Sequence, residues 1–498
     1  MASDIDEHED DMYIKLLSFM DSFWHIAAMF VVIPMAVTAA IHAALCKRES
    51  RAALGWIGII FFVPFVGSLL YFLFGINRIQ RRATALFGDR IRFSSPQPIS
   101  PLTADGLRDL LPIHVRHLES LYRIVQQISR RALFPGNQIT TLYNGDQAYP
   151  EMLNAISQAQ HSITLTTYIF DDDRVGSAFC KALKQAVQRG VQVRVLIDAV
   201  GGRYSWPPIY YKMRRDGITV DRFMPTRLPW RWAYMNLRSH RKILVVDGKL
   251  GFTGGMNIRE GHQLSLAPRH PVQDIHFRVE GPVVHHLQEV FCEDWHFTTD
   301  EWLEGPEWFP HIESVGNMAC RGISDGPDDD FEHIRWTILG AIASAQHSIR
   351  IITPYFLPDS SIINALNIAA MRGVDVEILL PSKNNLSLVQ WASTAHYSLL
   401  LERGCRLYAS APPFDHTKLM IVDQAWSFIG STNWDPRSLR LNFEFNLECY
   451  DTTLADVLYR LFVEKITNAQ PISLDSLRER SWLVRIRDGF ARLLTPYL

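Results

Sequence analysis

Hydrophobic and polar positions divide the 498-residue chain into two regimes. Near the N-terminus, residues 23–45 and 53–75 each run without an Asp, Glu, Lys or Arg. Crossing a bilayer core takes about 20 helical residues. The two runs therefore predict a two-helix transmembrane hairpin, with the short basic loop CKRESR between them. A secretory signal peptide would be shorter and would open on basic residues, whereas this chain opens on MASDIDEHEDDMY. Two spans leave both ends on one side. That side carries Lys15, Arg78, Arg81, Arg82, Arg90 and Arg92, against Lys47, Arg48 and Arg51 in the loop. This bias predicts a multi-pass membrane protein whose larger part faces the cytoplasm.

Beyond residue 75 the pattern changes. A basic juxtamembrane stretch gives way to the Pro/Ser-rich FSSPQPISPL and then to a helix expected over about 107–132. The chain then repeats itself. AQHSITLTTYIFDDD begins at Ala159 and AQHSIRIITPYFLPD at Ala345. Each leads through a helix into Arg-Gly followed by an alternating apolar run, RGVQVRVLID at 189–198 and RGVDVEILLP at 372–381. Arg-Gly before alternating Val marks a helix turning into a buried strand. Strand–helix–strand repetition predicts α/β halves with largely parallel strands at their centres. The expected organisation is 1–92 membrane hairpin and juxtamembrane segment, 93–137 linker, 138–305 first half, 306–470 second half, and 471–498 C-terminal amphipathic helix. In that last helix Leu483, Ile486, Phe490 and Leu493 share a face, with Arg478, Arg485, Arg487 and Arg492 supplying positive charge. The pattern suits a helix lying in an anionic lipid interface or one packed on the domain.

Composition narrows the function. The chain is 47% hydrophobic and 20% charged, with a net charge of −2, which lacks the basic excess of a nucleic-acid binder. Its six cysteines are scattered without a CxxC pair, so neither a zinc site nor a disulfide framework is expected. Aspartates at 171–173 and 328–330 read as solvated caps, and His285 and His286, adjacent on a helix, do not face one site. His161 and His347, at equivalent strand openings, read as structural. Trp206, Trp230, Trp232, Tyr234, Trp391 and Trp434 supply apolar bulk, each read as core before lipid contact.

The candidate chemistry lies in a cassette that occurs twice, HRKILVVDGKLGFTGGMN at 240–257 and HTKLMIVDQAWSFIGSTN at 416–433. His and Lys two apart in an extended segment project from one face. Lys242 and Lys418 supply compact charge, and Asn257 and Asn433 neutral donors, for the non-bridging oxygens of a phosphate. One of His240 and His416 attacks phosphorus while the other protonates the departing oxygen, so each cassette is half a site across a pseudo-two-fold axis. Asp274, downstream of His240, and Glu444, downstream of His416, are expected to orient the imidazoles. Asp247 and Asp423 end strands and are expected to make structural hydrogen bonds. No DxDG, HExxH or Walker loop occurs, and no metal or other cofactor is expected.

His240-x-Lys242-x4-Asp247 and His416-x-Lys418-x4-Asp423 resemble the HKD signatures of the phospholipase D superfamily. With the hairpin text WIGIIFFVPFVGSLLYFLFGINRIQRR, the chain resembles the bacterial cardiolipin synthases of that superfamily over nearly its whole length. The resemblance implies two pseudo-symmetric phospholipase D-type α/β domains, with mixed sheets flanked by helices, behind the hairpin. It counts Asp247 and Asp423 with the catalytic signature. It implies conversion of two phosphatidylglycerol molecules to cardiolipin and glycerol through a phosphatidyl-histidine, with His240 as nucleophile and His416 as acid and base. The lipid bilayer is then the partner, and no oligomeric state is implied. Hydrolysis to phosphatidic acid uses the same residues. A nuclease or phosphodiesterase fits the neutral charge poorly, and a catalytically dead scaffold fits two complete cassettes poorly.

Overall fold

A computed structural model describes residues 29–47, 50–75, 99–225, 237–327 and 330–495. Lys15, Arg48, Arg78, Arg81, Arg82, Arg90, Arg92, Trp230, Trp232, Tyr234, Asp328 and Asp329 lie outside the described residues. The chain divides into two compact units, Met1–Arg81 and Arg82–Leu498.

In the first unit the helix Met29–Cys46 is long and apolar enough to cross a membrane. The second apolar run is not one continuous helix. It breaks at Val63 into the helices Ser50–Phe62 and Pro64–Leu70, followed by a π-helical turn at Tyr71–Gly75. Pro64 has no N–H to give the preceding turn, and it holds Val63 out of helical geometry. The run bends back so tightly that a Cβ on Gly67 would lie 2.5 Å from the Ile59 carbonyl oxygen. Buried Tyr71 packs edge-on against Trp56, and its hydroxyl is 2.8 Å from His42 Nδ1.

The second unit is built on one mixed sheet, fifteen-stranded among the described residues. The first half contributes β1 (Phe134–Tyr143), β2 (Ser162–Thr167), β3 (Gln192–Asp198), β4 (Val220–Phe223), β5 (Ile243–Val246), β6 (Leu250–Gly254) and β8 (Ile275–Glu280), with a short β7 (Val272–Gln273) apart. The second half contributes β9 (Met318–Asp325), β10 (Ser348–Ile352), β11 (Asp375–Pro381), β12 (Arg406–Ser410), β14 (Leu419–Val422), β15 (Trp426–Gly430), β16 (Glu444–Tyr450) and β17 (Gln470–Ile472), with β13 (Phe414–Asp415) paired to β7. From the middle outward, one side reads β1-β8-β6-β5-β2-β3-β4 and the other β9-β16-β15-β14-β10-β11-β12-β17.

The internal repeat is thus a structural duplication. Within the large sheet only β2-β3-β4 and β10-β11-β12 are parallel; its cassette strands and the β1–β9 pair joining the halves are antiparallel, while β7 and β13 join the halves as a separate parallel pair. Sequence reading expected a separate sheet in each half. Instead β1 pairs with β9, so neither half leaves that edge strand unpaired. Helices cover both faces. On one face each half has its own apolar core. On the other, a single cluster runs across both, uniting Ile243, Phe277 and Leu287 with Ile421, Phe445 and Leu458. Buried charge also ties the halves together. Arg241 donates to Asp294 at 2.6 Å and to the Glu444 carbonyl at 3.2 Å, and Arg131 reaches both Glu289 and Ser324.

The helix expected over 107–132 is split by Pro112 into Ala104–Leu110, a 3-10 turn at Ile113–Leu118, and Glu119–Ile128. At the C-terminus Leu474–Arg478 and Trp482–Leu493 are helical.

Candidate active site

Each cassette enters the sheet as an antiparallel pair, β5 with β6 and β14 with β15. The histidine lies just upstream of the first strand, where the backbone bonds to a segment of the other half. The backbone N–H of His240 donates to the Phe443 carbonyl at 2.8 Å, and that of His416 to the Gln273 carbonyl at 2.8 Å. Phe443 precedes Glu444 and Gln273 precedes Asp274, so each bond brings a carboxylate of one half beside the imidazole of the other. His240 Nδ1 is 3.0 Å from Glu444 Oε2, and His416 Nδ1 is 2.8 Å from Asp274 Oδ2. The partners are therefore exchanged relative to sequence proximity.

The lysines close the same cluster. Lys242 Nζ donates to the His240 carbonyl at 2.7 Å, and Lys418 Nζ donates to the His416 carbonyl and lies 2.9 Å from His416 Nδ1. Both lysines and both carboxylates are buried. Burial lowers the Lys242 ammonium to about 7 and the Lys418 ammonium to about 8. It also lowers His240, reinforced by the lysine charges and opposed by Glu444. His416 is pushed well below its ordinary value by burial, Lys418, Lys242 and His240. The two carboxyls differ. Burial raises Asp274 to about 6. Burial also opposes ionisation of Glu444, but His240, Lys242 and the Ser431 hydroxyl outweigh it and hold the carboxyl below its ordinary value. Glu444 is further held by Asn442 Nδ2 at 3.2 Å.

Asn257 and Asn433 lie alongside. The Asn257 side-chain oxygen accepts from the Ile169 N–H at 3.1 Å, next to Tyr168, whose ring packs edge-on against His240 at 5.4 Å. Asn433 donates to Ser438 at 3.3 Å, and the adjoining Trp434 pairs with the segment carrying Tyr355, whose ring is 6.3 Å from His416.

Asp247 and Asp423 make their hydrogen bonds away from the imidazoles. Each follows the far end of β5 or β14 in a left-handed backbone conformation, φ 51° and 50°. Each turns back to cap the strand opening next door. Asp247 accepts from the N–H groups of Gln160, His161 and Ser162, and Asp423 from those of Gln346, His347 and Ser348. Asp423 also meets His117 Nε2 at 2.7 Å, which docks the helical segment before the first half onto the second. His161 and His347 serve there through their backbones.

The other candidates separate cleanly. Asp173 caps the helix Arg174–Gln188, while Asp172 pairs with Lys212 and Asp171 with Arg259. His285 meets the Pro310 carbonyl, and His286 accepts from the Gly322 N–H. Trp434 is buried and Trp391 half-buried, but Trp206 is 91% exposed, contrary to the core reading. Sequence reasoning did not single out Tyr168, Tyr355, Ser431 or Asn442. The two tyrosines stand inside the repeated segments TTYIF and TPYFL, which is the signal that would have raised them.

This arrangement sets two imidazoles, each with Nδ1 on a carboxylate, beside two ammonium groups, a constellation suited to transfer at phosphorus. The family profile "Cardiolipin synthase, PLD-like domain" matches residues 152–295 and 338–466, and "Phospholipase_D-nuclease N-terminal" matches 35–75. A "Cardiolipin synthase" of Geobacillus kaustophilus (strain HTA426) is 32% identical over 494 residues, 97% of each chain. The "Major cardiolipin synthase ClsA" of Bacillus subtilis (strain 168) is 32% identical over 466 residues, covering 91% of this chain and 95% of that one. Among solved structures, phosphatidylserine synthase from Haemophilus influenzae Rd KW20 shares the fold at a TM-score of 0.57 and 14% identity, covering 76% of this chain and all of that one.

Proposed function

The chain belongs to the family of cardiolipin synthases built on the PLD-like domain, and from that premise we propose that it converts two phosphatidylglycerol molecules to cardiolipin and glycerol. The observation that carries the reading is the exchanged pair of His–carboxylate contacts, His240 with Glu444 and His416 with Asp274. With Nδ1–H donated to a carboxylate, Nε2 of each ring is the nitrogen that acts on a substrate. His240 Nε2 attacks phosphorus of the first phosphatidylglycerol. The bound phosphodiester's negative charge favours the protonated form of His416 against burial, and as the bond to the terminal glycerol breaks the glycerol oxygen takes that proton. The neutral His416 then accepts the proton of a hydroxyl on a second phosphatidylglycerol. That oxygen attacks phosphorus, His240 leaves, and cardiolipin is released. Lys242, Lys418, Asn257 and Asn433 hold the non-bridging oxygens.

His240 is assigned as nucleophile, and His416 as acid and base, from the resemblance to the phospholipase D superfamily, in which the first-half histidine attacks; Glu444 orients the His240 ring through Nδ1. One phosphodiester is broken and one made, so the reaction needs no nucleotide, and the ammonium groups supply the charge a metal would otherwise bring. The apolar runs at 23–45 and 53–75 both embed in the inner membrane, and the catalytic unit faces the cytoplasm, a placement supported by the basic bias of the flanks. The two halves are assigned to 138–305 and 306–470.

Full-length protein supplied with phosphatidylglycerol vesicles tests the reaction. Cardiolipin and glycerol in equal amounts are expected, with activity retained in EDTA. Phosphatidic acid as the main product would replace transfer by hydrolysis.

A further inference from the structure

We propose that the helix Trp482–Leu493 is an in-plane anchor that seats the catalytic unit, active-site mouth first, on an anionic bilayer. The helix has two faces of opposite character. Toward the protein it buries Ala491 in a small cluster with Leu357, Val389 and Ala392, and lays Arg487 over the Trp391 ring at 4.3 Å. Away from the protein it exposes Trp482 (67%), Leu483, Ile486, Phe490 (68%) and Leu493 (67%). Packing on the domain therefore uses the small residue and leaves the large apolar ones unpartnered. The charge is arranged to match. The helix's one carboxylate, Asp488, is buried and paired with Arg480 at 2.7 Å and Arg487 at 2.8 Å, while Arg485 and Arg492 are exposed beside the apolar face. An apolar face edged by arginine fits the boundary between acyl chains and anionic headgroups. A second copy of this chain would bring arginine edge against arginine edge, so the bilayer is the occupant the charge favours.

The position of the helix gives the anchor its use. Tyr355 packs on the same small cluster that receives Ala491, and its ring is 6.3 Å from His416. The anchor is therefore one side-chain layer from the site. On the His240 side, Tyr168 lies between His240 and Tyr204, with ring separations of 5.4 and 6.4 Å, and the same segment exposes Tyr204 and Trp206. Aromatic and apolar groups at both sides of the site orient its mouth toward lipid, so that a phosphatidyl headgroup enters without crossing bulk water. The proposal rests on the lipid-substrate reading only for this last step.

Spin labels in the full-length protein, reconstituted in vesicles, test it. Cys46 is the exposed cysteine among the described residues, so labels are placed by Ile486→Cys or Phe490→Cys in a Cys46→Ser background. Ile368→Cys, on an exposed apolar position of another helix, serves as control. In phosphatidylglycerol vesicles the labels at 486 and 490 should be open to oxygen and shielded from a water-soluble nickel reagent, and the label at 368 should be open to the nickel reagent. The proposal is overturned if 486 and 490 match 368, or if they are shielded from both reagents as at a protein interface. A paired Ile486→Ser/Phe490→Ser variant should lose about tenfold or more of its turnover on vesicles, yet keep its turnover on dispersed short-chain phosphatidylglycerol. Equal loss on both substrates counts against the anchor. Inserted labels with phosphatidic acid as product would overturn the transferase reading alone, and cardiolipin synthesis with water-exposed labels would overturn the anchor alone.

Discussion

His240 and Glu444 are 3.0 Å apart although 204 residues separate them, and this contact dictates what a neutral replacement does. Glu444→Gln can no longer hold Nδ1–H with a charged acceptor, so His240 loses its tautomer and orientation. Covalent phosphatidyl transfer to His240 should fall about 10²–10⁴-fold. Asp274→Asn should act on His416 instead. With a phosphatidyl donor bearing a good leaving group, Asp274→Asn should still form the adduct and release it slowly, whereas Glu444→Gln should form little. Trapping labelled lipid on each variant reads the difference, and the opposite result would restore pairing within each half. The lysines give a pH dependence. A bound phosphate stabilises their charged forms and so raises pKa values that burial has brought to about 7 and about 8. A group whose pKa rises on binding contributes fully below its free value and loses its contribution as pH climbs through the bound value. Affinity for a non-reactive phosphatidyl analogue should therefore be flat below about pH 7 and weaken above it, with proton uptake on binding visible by calorimetry in buffers of different ionisation enthalpy.

At the scale of elements, the cassette is a two-stranded device whose two ends do different work. One end carries His and Lys to the site. The other carries Asp247 or Asp423 to a neighbouring strand opening, where one carboxylate gathers three backbone N–H groups. Hydrogen bonds to a charged group contribute about 1.5–3 kcal/mol each, and losses at one site overlap. Asp247→Asn should cost a few kcal/mol of stability, read as a lower melting temperature, while the protein that remains folded keeps most of its turnover. A loss of turnover at unchanged stability would return Asp247 to the chemistry. Asp423→Asn should be the more damaging of the two, because His117 also leans on that carboxylate.

At the scale of the molecule, the two halves cannot be parted. Each imidazole takes its carboxylate from the other half, β1 pairs with β9, and buried Arg241, paired with Asp294 of its own half, donates across the junction to the Glu444 carbonyl. Removing one member of a buried pair costs about 3–5 kcal/mol, so Asp294→Ala should destabilise both halves together in a single melting transition. Activity should also fail to reappear when His240→Ala and His416→Ala proteins are mixed, since each chain holds a site needing both of its own histidines. Recovery of turnover on mixing would mean that sites form between chains.

The amino-acid sequence by itself determined the duplication, the strand–helix–strand units, the identity of His240, Lys242, His416 and Lys418 as one chemical set, and an apolar N-terminal region. All of these are local or repeated patterns, and a period or a spacing can be read without knowing what lies across the core. Tertiary structure alone decided which carboxylate serves which histidine, because the Phe443–His240 and Gln273–His416 backbone bonds join segments far apart in the chain. It also decided which backbone N–H groups Asp247 and Asp423 gather, since a left-handed turn sets that direction and leaves no mark in the spacing. The same holds for the C-terminal helix. Its periodicity showed an apolar face, but only packing decided that Ala491 would turn inward and Phe490 outward.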